Sequence, residues 1–312
     1  MRTFLPAARR PAIKFLFALG ALAAISGAQT THLDSGIRLF KQRDLQAAAR
    51  EFRSCADADP GNATCWYWLG EANLSAGRYN DAAADLQRSV NLQADFAPAY
   101  RSLGLAALQL GEFSRAYQSW RVAVSLDPKD IKSKYYLGRL LLQADKPAGA
   151  AEWLRKAATE MPDDVEVTTF LALAEERTGN ATQAVQLLQK AISIGEQRHT
   201  PLPVTYIALA DHLRREGKDR GAEQVLERQA ELCPDPVGLV ALAEARSREK
   251  RAAEAESLLR SAIQMNAGFA PAHYKLGLLL QASGRTDEAR LEMQRFNATK
   301  AEPRVVAIDG LN

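Results

Sequence analysis

Along this chain, apolar side chains recur every three or four positions over short stretches, and brief polar interruptions such as SAGR at 75–78 and LGEF at 110–113 separate the stretches. That spacing places side chains on one face of an α-helix, so the pattern predicts short helices joined in pairs by tight turns. One pair lies in CWYWLGEANLSAGRYNDAAADL, residues 65–86, and its alanine recurs. Ala48, Ala82, Ala116, Ala150, Ala184, Ala222, Ala255 and Ala289 follow one another at intervals of 34, 34, 34, 34, 38, 33 and 34 residues. Four residues after each stands a large apolar side chain: Phe52, Leu86, Trp120, Leu154, Leu188, Leu226, Leu259 and Met293. Twelve residues before each stands a small one: Gly36, Gly70, Gly104, Gly138, Ala172, Ala210, Ala243 and Gly277. Eight units in phase make a repeat, which predicts an all-α stack of helical hairpins.

The small residues belong where two helices cross, because a larger side chain would hold the backbones apart. The large residue four along fills the space beside the crossing, and Pro60, Pro128, Pro162 and Pro234 close four of the units by denying the helix a backbone donor. This pattern resembles the tetratricopeptide repeat: Trp66, Leu69, Gly70, Ala82 and Leu86 match it, and Tyr100, Leu103, Gly104, Ala116, Trp120, Ala123 and Pro128 match it most fully. The resemblance spans roughly residues 29–300 and implies an α-solenoid of about eight hairpins wound as a right-handed superhelix. Three units have alanine for the first glycine, and Asp145 and Lys250 replace the turn glycine, which predicts more variable hairpins there. The 38-residue interval contains SIGEQRHTPLP, residues 193–203, either a hinge or an extended helix end. Solenoids must also cover their last apolar face. The tail, residues 301–312, is expected to shield Leu291, Met293 and Phe296 through Val305, Val306 and Ile308, unless self-association does so.

Composition changes the picture at the N-terminus. Of the 40 basic side chains among 312 residues, Arg2, Arg9, Arg10 and Lys14 lie in the first 28, which hold no acid; the remainder carries 36 basic against 37 acidic groups. A nucleic-acid surface needs a strong basic excess, so that class is excluded. The basic stretch, the apolar run Phe15–Ile25 and the small Ser26 and Ala28 read as a signal peptide over residues 1–28, cleaved after Ala28. That predicts export to the periplasm or the extracellular space. Eleven apolar residues are too few to cross a bilayer core, and no later segment has the apolar length for a mature transmembrane span. Three cysteines are few for a disulfide framework. Cys55 and Cys65 flank Pro60 symmetrically and form either a disulfide or two small buried hydrophobes, while Cys233 stays unpaired or links chains.

Catalytic signatures are missing: there is no GxSxG, GxxxxGK[ST], HExxH or GxGxxG. His32 and His273 occupy the repeat position of Trp66, which favours packing over metal binding, and no cofactor or metal is expected. In the repeat family the first helix of each unit lines a concave groove. Transferred by repeat phase, that groove presents Tyr67, Trp68 and Glu71, then Arg101 with Leu105 and Leu108, then Lys132, Tyr135, Tyr136 and Arg139, then Phe170 and Arg177. Tyrosine, tryptophan and arginine anchor interfaces because they bury much area at modest entropic cost. Trp66 is expected to pack the stack, leaving Tyr67 and Trp68 surplus to it. Tyr67 and Glu71 do not reproduce the lysine and asparagine clamp by which some relatives hold chaperone tails. The leading expectation is a non-enzymatic scaffold gripping a peptide or helix of an envelope protein. Alternatives are a glycan- or peptidoglycan-binding module, or an accessory subunit of an envelope polysaccharide or secretion machine.

Overall fold

The structure, a computed structural model, describes residues 31–300; the expected signal peptide and the tail at 301–312 lie outside the described residues. Every element among them is helical: α1 over residues 31–41, α2 Leu45–Ala58, α3 Ala63–Ser75, α4 Tyr79–Leu92, α5 Ala97–Leu110, α6 Phe113–Leu126, α7 Ile131–Gln143 and α8 Pro147–Glu160. The order continues with α9 Val165–Arg177, α10 Ala181–Gln197, α11 Pro203–Arg215, α12 Asp219–Leu232, α13 Pro236–Arg248, α14 Ala252–Met265, α15 Ala270–Ala282 and α16 Thr286–Thr299. The described residues fall into two compact units, 31–133 and 134–300, divided in the first turn of α7. No described helix is long and apolar enough to cross a membrane.

Each hairpin is clamped at the place the repeat marks. A Cβ built on Gly70 would lie 2.6 Å from Leu86 Cγ, and a Cβ on Gly36, Gly104 or Gly138 would collide with the ring or branched carbons of Phe52, Trp120 or Leu154. The paired helices therefore pack at near-backbone distance, and the residue sixteen along fills the gap. In the first unit this gives two cores, one around Ala48, Phe52, Cys65, Trp66 and Leu69, the other around Ala82, Leu86, Val90, Ala99 and Leu103. In the second unit the same register builds the core of Leu239, Ala243, Leu259, Leu276 and Leu280. Within each unit, first helices also touch one another: α3 meets α5, and α9, α11, α13 and α15 follow in series.

The turns are more uniform than the sequence led us to expect. Gly77, Gly111, Gly179, Gly217 and Gly284 have φ between +74° and +91°, and Arg43, Asp145 and Lys250 adopt the same left-handed conformation at +66°, +54° and +63°. The reason is a shared pair of backbone bonds. Gly77 N–H donates to Leu74 O and Arg78 N–H to Asn73 O; Lys250 N–H donates to Ser247 O and Arg251 N–H to Arg246 O. The bonds dictate the shape, and the non-glycine residues bear its strain.

Three of the four extra residues of the long interval lengthen α10 to 17 residues, where the other second helices from α2 to α16 have 14. Residues 193–197 form its end, and Thr200 N–H closes the turn on Gly195 O at 2.8 Å. Glu196 ties this end onward, accepting from Tyr206 on α11 at 3.1 Å and from Arg228 on α12 at 3.2 Å. In the first unit, Cys55 and Cys65 are joined as a disulfide across the α2–α3 loop, with Cα atoms 5.7 Å apart. Closing a loop of that length restricts the unfolded chain by roughly 3 kcal/mol in the chain-entropy model.

Two predictions follow from the clamps and turns. Replacing Gly70→Ala should lower stability by about 1–3 kcal/mol, through overpacking against Leu86. Combining it with Leu86→Ala should cost less than the sum of the two single changes, because the smaller partner admits the added methyl; equal or greater cost in urea titrations would refute the clamp. Replacing Lys250→Gly should raise the urea midpoint, with a gain of up to about 1 kcal/mol as the left-handed strain is relieved. A lower midpoint would mean that the lysine is not strained.

Candidate partner-binding face

In the first unit the face is built on α3, where the buried Trp66 sets the helix in place. Its ring N–H donates to Pro60 O at 3.0 Å, and the Arg88 guanidinium lies 4.3 Å over the ring. The next two side chains point to the other flank of the helix. Trp68 stacks on Phe52 at 5.8 Å and 21°, and meets Phe40 edge-on at 5.7 Å. Tyr67 lies 5.4 Å from Trp68 and 5.0 Å from Phe96. Both rings are half-buried and pack against hydrophobic cores, so neither is surplus to packing. The cause is the neighbouring hairpins: Phe40 and Phe96 arrive from hairpins on either side and close around them.

Beyond the rings lies a charged group. Arg101 donates from Nη1 to Asp130 Oδ1 at 3.0 Å, and the buried Asp130 also accepts from Ser133 Oγ at 2.7 Å. Glu71, on α3, is pressed into this surface. Its Oε1 is buried with no hydrogen-bond partner. Burial pushes its carboxyl above the usual carboxylate range, opposed by a hydrogen bond from the Ser102 hydroxyl and by the charges of Arg101 and Lys132. Burial, followed by the Glu71 charge, pushes the Tyr67 phenol up to about 12. Lys132, at the start of α7, is exposed.

The second unit, taken by itself, carries a face of the same residue types on α7 and α9. Tyr135 is buried, contrary to the expectation of a contact residue; its ring is 5.7 Å from Phe170 and 5.5 Å from Tyr136, itself half-buried. Its hydroxyl donates to Glu166 Oε2 at 2.6 Å and accepts from Arg139 Nη1 at 3.2 Å. Burial and then the Glu166 hydrogen bond raise the phenol well above its ordinary range. The Arg139 guanidinium lies 4.7 Å over Phe170, and the exposed Arg177 donates to Leu142 O at 2.8 Å. Further along the unit, Val237, Tyr274 and Leu278 stay 47%, 38% and 40% exposed on first helices α13 and α15.

Ser102, Asp130 and Glu166 were missed at the sequence level. Asp130 carried a signal, an acid immediately before a helix with serine three residues on, the arrangement of an N-cap. Two of the histidines are held by structural contacts: His273 is buried between Glu292 Oε2 at 2.6 Å and Ala267 O at 2.9 Å, and His32 meets Glu51 Oε2 at 2.7 Å. Among the described residues, no three histidine, cysteine, aspartate or glutamate side chains cluster as metal ligands do.

Family models described as tetratricopeptide repeat match residues 33–101, 101–165, 205–236 and 248–308. DnaJ homolog subfamily C member 3 of Rattus norvegicus is 25% identical over 157 residues, 50% of this chain and 30% of that protein. The Hsp70-Hsp90 organizing protein of Triticum aestivum is 32% identical over 95 residues, 30% of this chain and 16% of its own. The matches therefore span less than a third of either relative. A crystal structure of a tetratricopeptide repeat protein from Parabacteroides merdae ATCC 43184 superposes with a TM-score of 0.66 at 16% identity, covering 81% of this chain and 99% of the other.

The buried Glu71 gives a pH test. Because its folded-state pKa is raised, the folded protein holds a proton where the unfolded chain has already lost it. Stability should therefore fall as pH rises from the ordinary carboxylate range through the raised value. Replacing Glu71→Gln should stabilise the protein at neutral pH, with the gain fading as the pH drops below that range. Urea unfolding at acidic and neutral pH checks this; a destabilised variant at neutral pH would show that Arg101 and Lys132 outweigh burial.

Proposed function

The chain belongs to the tetratricopeptide repeat family, and from that premise we propose that it is a non-enzymatic scaffold gripping an extended segment or a helix of a protein partner on its first-helix faces. One observation carries this reading. In each unit, helices that touch side by side present half-buried rings beside charged groups: Tyr67, Trp68, Arg101 and Lys132 in the first, Tyr136, Arg139, Phe170 and Arg177 in the second. Rings fixed by packing lose little entropy on contact, and arginine at their edge supplies directional donors. The name of the wheat relative describes a protein that organizes other proteins, which agrees with such a role.

We further propose that the protein is exported and that its partner belongs to the cell envelope. The sequence of residues 1–28 supports export, and a disulfide such as Cys55–Cys65 persists best in an oxidising compartment. The glycan alternative loses support from the geometry, since stacking on sugars needs an open ring face. Trp68 spends one face on Phe52, and Phe170 lies beneath Arg139.

A photoreactive side chain placed at the exposed Lys132, or at Tyr136, should trap one protein in native envelopes, and the same group at Gln118, exposed on second helix α6, should trap none. The purified mature chain should begin at Gln29. Equal trapping at all three positions would refute the face, and an intact N-terminus would refute export.

A further inference from the structure

The cations on the first-helix faces of the second unit are mostly spent on carboxylates. Arg214 pairs with Asp211 at 2.8 Å, Arg215 with Glu176 at 2.8 Å, Lys275 with Glu244 at 2.7 Å and Arg248 with Asp219 at 3.7 Å. Arg139 and Arg177 differ. Among the described residues, the partner of Arg139 is the Tyr135 hydroxyl, with the Phe170 and Tyr135 rings beneath it at 4.7 and 5.4 Å, and the partner of Arg177 is the Leu142 carbonyl. Among the described residues, neither is ion-paired.

We propose that the α7–α9 face is a docking site for an acidic segment of the protein partner, with Arg139 and Arg177 receiving its carboxylates. This rests on the scaffold reading above and supplies the ligand chemistry of the same face. A guanidinium lying over a ring has its plane fixed while its edge stays available, and that edge matches a carboxylate with two parallel hydrogen bonds. Arg177 is likewise anchored through a single N–H, three residues along α7 from Arg139 by way of Leu142. Both groups are thus oriented before any ligand arrives, which lowers the entropic cost of binding. The polarity of the site follows from Glu166. This acid stands in the first turn of α9, takes the Tyr135 proton donor, and repels a ligand carboxylate at that end. The acidic residues of the segment therefore approach Arg139 from the side away from Glu166 and run toward Arg177, with an apolar side chain against Tyr136.

The probe is an end-capped, dye-labelled peptide in which glutamates alternate with phenylalanines, compared with a twin carrying lysines for the glutamates, by fluorescence anisotropy on the full chain. The acidic peptide should bind, weaken as salt is added, and far exceed the lysine twin. Arg139→Gln and Arg177→Gln should each weaken it by about tenfold, the pair should abolish it, and Arg290→Gln on α16 should leave it unchanged. Circular dichroism melting of each variant separates lost binding from lost folding, and Arg177→Gln, which removes no ring contact, keeps the test valid if Arg139→Gln unfolds. Equal binding of the two peptides, undiminished binding by the double variant, or displacement by polyphosphate with the same loss on the same substitutions would overturn the proposal. Trapping of a protein from positions 132 and 136 without binding of the acidic peptide would sink this inference alone and leave the scaffold reading standing.

Discussion

Every hairpin here depends on a crossing at which one helix offers no side chain, or only a methyl, to the other. The space that a Cβ on Gly36, Gly70, Gly104 or Gly138 would need is already occupied by Phe52, Leu86, Trp120 or Leu154. That constraint fixes the rotation of both helices about their axes, and with it the side of each helix that faces away from the crossing. The left-handed turns then hold the two helices in register, whether glycine or a strained residue stands there. Because the constraint recurs at nearly constant intervals, the outward sides of successive first helices fall next to one another within each unit.

The candidate face is a by-product of that alignment. Rings that begin as neighbours in sequence acquire partners from adjacent hairpins, as Tyr67 does from Phe96 and Trp68 from Phe40. Charged groups are then arranged on the aromatic floor. Arg101 is held by the buried Asp130, Arg139 by the ring of Phe170, and Arg177 by a main-chain carbonyl. The three arginines are steadied by different means, and only Arg101 has its charge matched by a carboxylate. Glu71 stands at the opposite extreme, an acid whose buried oxygen finds no donor.

Most of the fold was legible in the sequence, because the clamp is a property of two residues sixteen apart and the turn of one residue between them. The phase of Ala82, Ala116 and Ala150 placed the helices, and the excess length of one interval marked where α10 would grow. The variability expected at Asp145 and Lys250 did not appear, since main-chain bonds rather than residue type shape those turns. The face was less legible. Trp68 and Tyr135 were assigned outward by phase, yet their burial depends on Phe52, Phe40 and Phe170, and one-dimensional spacing does not show how far a ring from the next hairpin will reach. Glu166 was invisible for the same reason, standing 31 residues from the hydroxyl it accepts from.

In stacked repeats each hairpin leans only on its neighbours, so opening normally starts at an end and spreads one step at a time. The covalent bridge between Cys55 and Cys65 spans one of these joints, from the second helix of one hairpin to the first helix of the next. While it is oxidised, the two hairpins it joins cannot drift apart as independent pieces. Reduction frees the two hairpins to part, so the grain size of opening at this joint is under thiol control.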